Sequence, residues 1–112
     1  MIEITHTKRT DDTPYCLIHA KGHAGYAEYG KDIVCAGVST LLFTFAVYAA
    51  EQADGKRVNI ETDLADGDMS VAICGADMTA LPVFEQAYDT IMSGLRLLEV
   101  KYPDYIKIIP VM

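Results

Sequence analysis

His23 and Cys35 are the two residues best suited to do chemistry. They lie twelve apart in the stretch Gly22-His23-Ala24-Gly25-Tyr26-Ala27-Glu28-Tyr29-Gly30-Lys31-Asp32-Ile33-Val34-Cys35-Ala36-Gly37-Val38-Ser39. From Gly22 to Lys31 the chain is polar and rich in glycine, which reads as a loop. From Ile33 to Ala50 no charge interrupts it, which reads as a buried helix. Cys35 then falls in the first turn of that helix, with Asp32 ahead of it as N-cap. Unpaired backbone N–H groups and the helix dipole at such a position favour an anion, so the expectation is a thiol of lowered pKa. A histidine at the far end of the loop completes a Cys–His nucleophilic pair. The bland reading is a small core cysteine beside an ordinary turn. Papain-type and caspase-type signatures are absent around Cys35.

The neighbouring residues carry double readings. Asp32 either caps the helix or orients His23 as the third member of a triad. Ser39 lies one helical turn after Cys35, where it either donates a hydrogen bond near the sulfur or packs. Gly22, Gly25 and Gly30 give the loop access to positive φ, which suits a lid bearing Tyr26 and Tyr29. His19 and His23 are four apart, but zinc needs at least three protein ligands and no further cluster stands nearby in sequence. His19 and His6 are therefore expected to face solvent. Cys16 and Cys74 fall in alternating patterns and are expected to be core thiols, with modest exposure allowed for Cys74.

Stepping outward, residues 1–7 alternate with Ile2 and Ile4 on one face. Asp11-Asp12-Thr13-Pro14 is a turn cluster, and residues 15–21 form a second strand with Cys16, Ile18 and Ala20 on one face. Asp54-Gly55-Lys56 ends the long helix. Val58, Ile60 and Thr62 alternate, Asp66-Gly67 makes a tight turn, and Met69, Val71 and Ile73 alternate, which is a hairpin. Residues 79–102 form a second helix with Pro82 in its first turn. Its stripe of Phe84, Tyr88, Ile91, Leu95 and Leu98 faces inward, while Asp89, Ser93, Arg96 and Glu99 fall toward water. Residues 105–110 make a last strand. The order ββαββαβ predicts an α+β two-layer sandwich with a mixed, largely antiparallel sheet and two helices.

At 112 residues the chain is expected to be one domain, residues 1–112. A net charge of −7 disfavours direct nucleic-acid binding and suits a basic peptide or protein partner. Three widely spaced cysteines fit a reducing cytoplasm better than a disulfide framework. Met1-Ile2-Glu3-Ile4 alternates like a strand and does not resemble a signal peptide. Residues 33–50 raise a transmembrane question, but Gly37, Ser39, Thr40 and Thr44 dilute the run and no Lys/Arg cluster flanks it. The expectation is a core helix covered by the sheet on one side and by a second subunit on the other, hence a homodimer without membrane contact.

The block G-H-A at 22–24, followed by G-x-D-I-V-C-A-G-V-S at 30–39, resembles the ribosomal-processing cysteine protease family, Prp. The likeness runs over nearly the whole chain and fixes eight or more residues across eighteen positions. The resemblance implies the catalytic histidine at His23 and the nucleophile at Cys35, with Gly22, Asp32 and Ser39 also matching family positions. It implies a cytoplasmic cysteine endopeptidase that removes the short N-terminal extension of a large-subunit ribosomal protein, the one numbered twenty-seven, without cofactor or metal. Backbone N–H groups near the helix start would hold the oxyanion. The alternative is a non-enzymatic, ribosome-associated binding module in which the His–Cys pair is structural.

Overall fold

A computed structural model describes residues 1–9, 15–28, 30–75 and 81–110, and the backbone alone at Leu81. Strands β1 (Ile2–Arg9) and β2 (Tyr15–Lys21) are followed by helix α1 (Ile33–Ala53), strands β3 (Asn59–Ala65) and β4 (Asp68–Cys74), helix α2 (Leu81–Lys101) and strand β5 (Ile106–Pro110). The expected turn at residues 11–14, Tyr29 and the expected start of the second helix at Thr79 lie outside the described residues. The sheet runs β3-β4-β2-β1-β5, with β1 and β5 parallel and the other pairs antiparallel. This is the α+β two-layer arrangement that the order of elements predicts.

Register builds the core. Ile108, Ile4, Ala20, Met69 and Leu64 stand opposite one another in a row across all five strands. Side chains alternate along a strand, so Ile2, Ile18, Cys16, Val71 and Ile73 share this inward face, and all five are buried. From α1, Val34, Val38, Leu42, Phe45, Ala46 and Ala49 lie over it, and from α2, Phe84, Tyr88, Ile91, Met92 and Leu95. The two helices meet at small residues. A β-carbon on Gly37 would stand 3.2 Å from Leu98, and one on Gly94 would stand 2.9 Å from Leu41.

α1 is long and apolar enough to cross a membrane by length and composition. Its buried face is nevertheless spent on the sheet and α2. The opposite face leaves Ile33, Phe43, Val47 and Tyr48 exposed.

Two polar residues, His6 and Glu99, depart from expectation, while His19 faces solvent as expected but in a pair. His6 shares the inward face of β1, and its Nδ1 lies 2.7 Å from the Tyr88 hydroxyl. Burial first, then the Arg96 charge, lowers its pKa. His19 does sit on the open face of the sheet, but 2.6 Å from an Asp68 carboxylate oxygen on the adjacent strand. Glu99 turns from water to accept a hydrogen bond from the Ile108 N–H at 2.6 Å, tying α2 to the edge strand β5.

Candidate active site

The end of the sheet where β2 stops and α1 starts assembles the site. Gly22 leaves β2 with φ +102°. Its N–H donates to the Gly67 carbonyl at 2.8 Å, and a β-carbon there would meet the Met1 carbonyl oxygen at 2.6 Å. Gly22 is thus a close-approach glycine wedged between β1 and the β3–β4 turn, not the free hinge expected of it. Freedom belongs to Gly25 and Gly30, whose positive φ values coincide with open space.

Asp32 does more than cap α1. One carboxylate oxygen accepts from the N–H groups of Val34 and Cys35 at 3.0 and 2.9 Å. The other accepts from Tyr26 and Ala27 at 2.9 and 3.4 Å. Of its two expected roles, the cap is the one formed, and the other oxygen fastens the loop rather than His23. Burial pushes the Asp32 carboxyl upward, but these four donors outweigh it and hold the group below its ordinary value. The loop is also held at Tyr26, packed edge-on against Tyr102 and Tyr105 with ring centres 5.4 and 5.1 Å apart. Glu28 and Lys31 pair with each other at 2.9 Å in the open, an ion pair of little energetic weight.

Cys35 is half-buried, and its sulfur accepts from the Ala24 N–H at 3.3 Å. A helix start favours a lowered thiol pKa, yet at Cys35 the balance runs upward. Burial contributes most; the Ala24 N–H pulls down, and the Asp32 and Asp66 carboxylates add to the rise. Burial is the main origin of the reversal, and Asp32 adds to it. The amides that would have stabilised a thiolate, or an oxyanion, already bind the Asp32 carboxylate, which brings its own negative charge beside the sulfur.

His23 is exposed and lines a cleft of about 590 Å³ together with Gly25, Ala27, Gly30, Asp32, Cys35, Ala36, Ser39 and Asp66. A narrower recess beneath it is shared by His23, Cys35, Ser39, Asp66 and Gly67, with Ile2, Ala20 and Met69 at its floor. Ser39 lines both, and its hydroxyl points to the Met69 sulfur at 3.6 Å. The five candidate residues thus meet at one place. Cys16 and Cys74 stay apart from it; burial pushes the Cys16 thiol up to about 11. Sequence reading missed Asp66 and Gly67, because the Asp-Gly signal was fully accounted for by the hairpin turn.

A thiol at a helix start that lines the same open cleft as a histidine is the arrangement of a thiol-dependent peptidase. Comparison with known proteins agrees. The family model for cysteine protease Prp matches residues 1–107. The ribosomal processing cysteine protease Prp of Mycoplasma genitalium is 34% identical over 94 residues, which is 80% of this chain and 82% of that protein. Its counterpart from Bacillus subtilis is 42% identical over 43 residues, an alignment that spans 38% of each protein. This chain belongs to the cysteine protease Prp family, whose members act in ribosomal processing. The crystal structure of the essential ribosomal processing protease Prp from S. aureus with a covalently linked product peptide superposes with a TM-score of 0.72 at 27% identity, covering 99% of this chain and 100% of that one. The same S. aureus protease with a substrate peptide gives a TM-score of 0.69 at 26% identity, again covering 99% of this chain and 100% of that one.

Proposed function

We propose that this chain is a cytoplasmic cysteine endopeptidase that removes the short N-terminal extension of the large-subunit ribosomal protein numbered twenty-seven, with Cys35 as nucleophile and His23 as acid and base. The observation that carries the assignment is that His23 and Cys35 line the same open cleft. The peptide-bound S. aureus structures support a peptide as the occupant of that cleft.

Because burial and two carboxylates favour the protonated thiol, His23 takes the Cys35 proton as the sulfur attacks the scissile carbonyl. The tetrahedral intermediate collapses with cleavage of the C–N bond, and the imidazolium gives its proton to the leaving amine. His23 then deprotonates a water that attacks the thioester; the C–S bond breaks, and carboxylate and thiol are released. The amides of Val34 and Cys35 are taken by Asp32, so the oxyanion is assigned instead to the Ala24 N–H, which already points at the sulfur. Gly22 and Asp32 hold the backbone around the pair, and Ser39 borders both cavities.

The exposed face of α1, with Phe43, Val47 and Tyr48, supports a homodimer. A net charge of −7 supports a basic protein substrate. Free thiols at Cys16, Cys35 and Cys74 support a reducing cytoplasm. Incubation with the full-length ribosomal protein, followed by mass measurement, tests the reading. Loss of one N-terminal peptide is expected; binding without any change of mass would favour the non-enzymatic binding module.

A further inference from the structure

The imidazole of His23 stands on the turn between β3 and β4. Gly67 adopts φ +77° there. A β-carbon on Gly67 would lie 2.6 Å from Nε2 of His23, 3.2 Å from Cε1 and 3.4 Å from Cδ2. The ring edge that bears Nε2 thus occupies the space that any side chain at position 67 would need. The same residue's carbonyl accepts the Gly22 N–H at 2.8 Å, immediately before the histidine. One glycine therefore bonds the backbone that leads into His23 and lies close against the ring itself. The adjacent Asp66 borders the same cleft as His23 and Cys35.

We infer that Gly67 is a positioning residue for His23: the hairpin turn, distant in sequence from the His–Cys stretch, is the seat that fixes the imidazole relative to Cys35. The inference rests on His23 as the acid and base of the proposed reaction. Two separate demands fall on position 67. The turn requires a positive φ, which asparagine also tolerates. The seat requires that no β-carbon be present, which only glycine satisfies.

These demands separate experimentally. Gly67→Asn meets the first and fails the second, whereas Gly67→Ala fails both. Gly55→Ala carries the same kind of φ strain, at φ +72°, where the space around the Cα is open. A displacement of the ring by roughly 1 Å is worth about a hundredfold in rate. Gly67→Asn is therefore expected to cleave a peptide spanning the ribosomal-protein processing site about a hundredfold more slowly than the parent, through kcat more than KM, while Gly55→Ala cleaves normally. Alkylation of Cys35 by iodoacetamide, read by mass across pH, supplies a second measure that does not depend on turnover. Its pH profile should shift in Gly67→Asn, and the same substitution should add nothing once His23 is alanine.

Parent-like cleavage by Gly67→Asn overturns the seat. So does an equal further loss in alkylation when Gly67→Asn is added to His23→Ala, because the turn would then act independently of the ring. If His23→Ala alone cleaves at the parent rate, the reading of His23 fails, and that outcome is distinct from failure of the seat.

Discussion

Asp32→Asn separates the two tasks of a single carboxylate. Asparagine caps helices about as well as aspartate, so its oxygen can remain on the Val34 and Cys35 amides. Its NH2 group then faces the N–H groups of Tyr26 and Ala27, donor against donor. One good bond at 2.9 Å and one weak bond at 3.4 Å are lost, at about 1 kcal/mol per net hydrogen bond and less for a half-exposed group. The expected cost is about 1 kcal/mol, or roughly 4 °C in melting temperature for a chain of this length. Asp32→Ala loses the cap as well and should fall about 4 °C further.

The acid limb supplies an independent sign. The folded Asp32 carboxyl lies below its ordinary 3.8, so its contribution is complete above that pH and disappears as pH falls through the folded value. In Asp32→Asn this part of the acid limb should be flat. The Asp32 charge also helps raise the Cys35 pKa, so the variant's thiol should alkylate with a profile displaced to lower pH. Thermal melts, hydrogen exchange at amides 26 and 27, and alkylation rates read these effects. A variant that melts with the parent, with amides 26 and 27 exchanging no faster, would refute the claim that Asp32 fastens the loop.

Other outcomes follow from the core and the exposed helix face. His6 is disfavoured as a cation in the folded state, so its contribution is intact above pH 6.5 and wanes as pH falls through that value toward the lower folded one. Urea melts of His6→Gln at pH 5 and pH 7 should show less of this slope than the parent. Phe45→Ala empties a fully buried site and should cost about 3–5 kcal/mol in urea unfolding. Phe43→Asp, on the exposed face of the same helix, should leave the fold intact but halve the particle mass in light scattering. A parent that scatters as a 12.3 kDa particle at all concentrations would defeat the dimer.

The fold was largely legible because local periods and tertiary burial agree. Alternation in β1, β2 and β4, the Asp66-Gly67 turn and the stepping stripe of α2 each point to the element observed. Polarity alone points His6 to solvent, although the alternation of Ile2 and Ile4 places it on the inward face. Helical period points Glu99 to water, and only the docking of edge strand β5 brings the Ile108 N–H within its reach. The His–Cys pair was visible because a glycine-rich loop running into an apolar helix is a local signal. Its surroundings were less so. That Asp32 would claim the helix-start amides and raise the Cys35 pKa depends on how the loop folds back. That Gly67 lies beneath His23 depends on β4 pairing with β2, which no local spacing announces.

The whole proposed reaction turns on Cys35 as the nucleophile. Its most direct test is cleavage of the full-length ribosomal substrate by the parent, Cys35→Ala, Cys16→Ala and Cys74→Ala proteins, followed by intact mass, with circular dichroism confirming each fold. Loss of the N-terminal peptide is expected with the parent, Cys16→Ala and Cys74→Ala, and no cleavage with Cys35→Ala. A folded Cys35→Ala protein that cleaves at the parent rate would contradict that role.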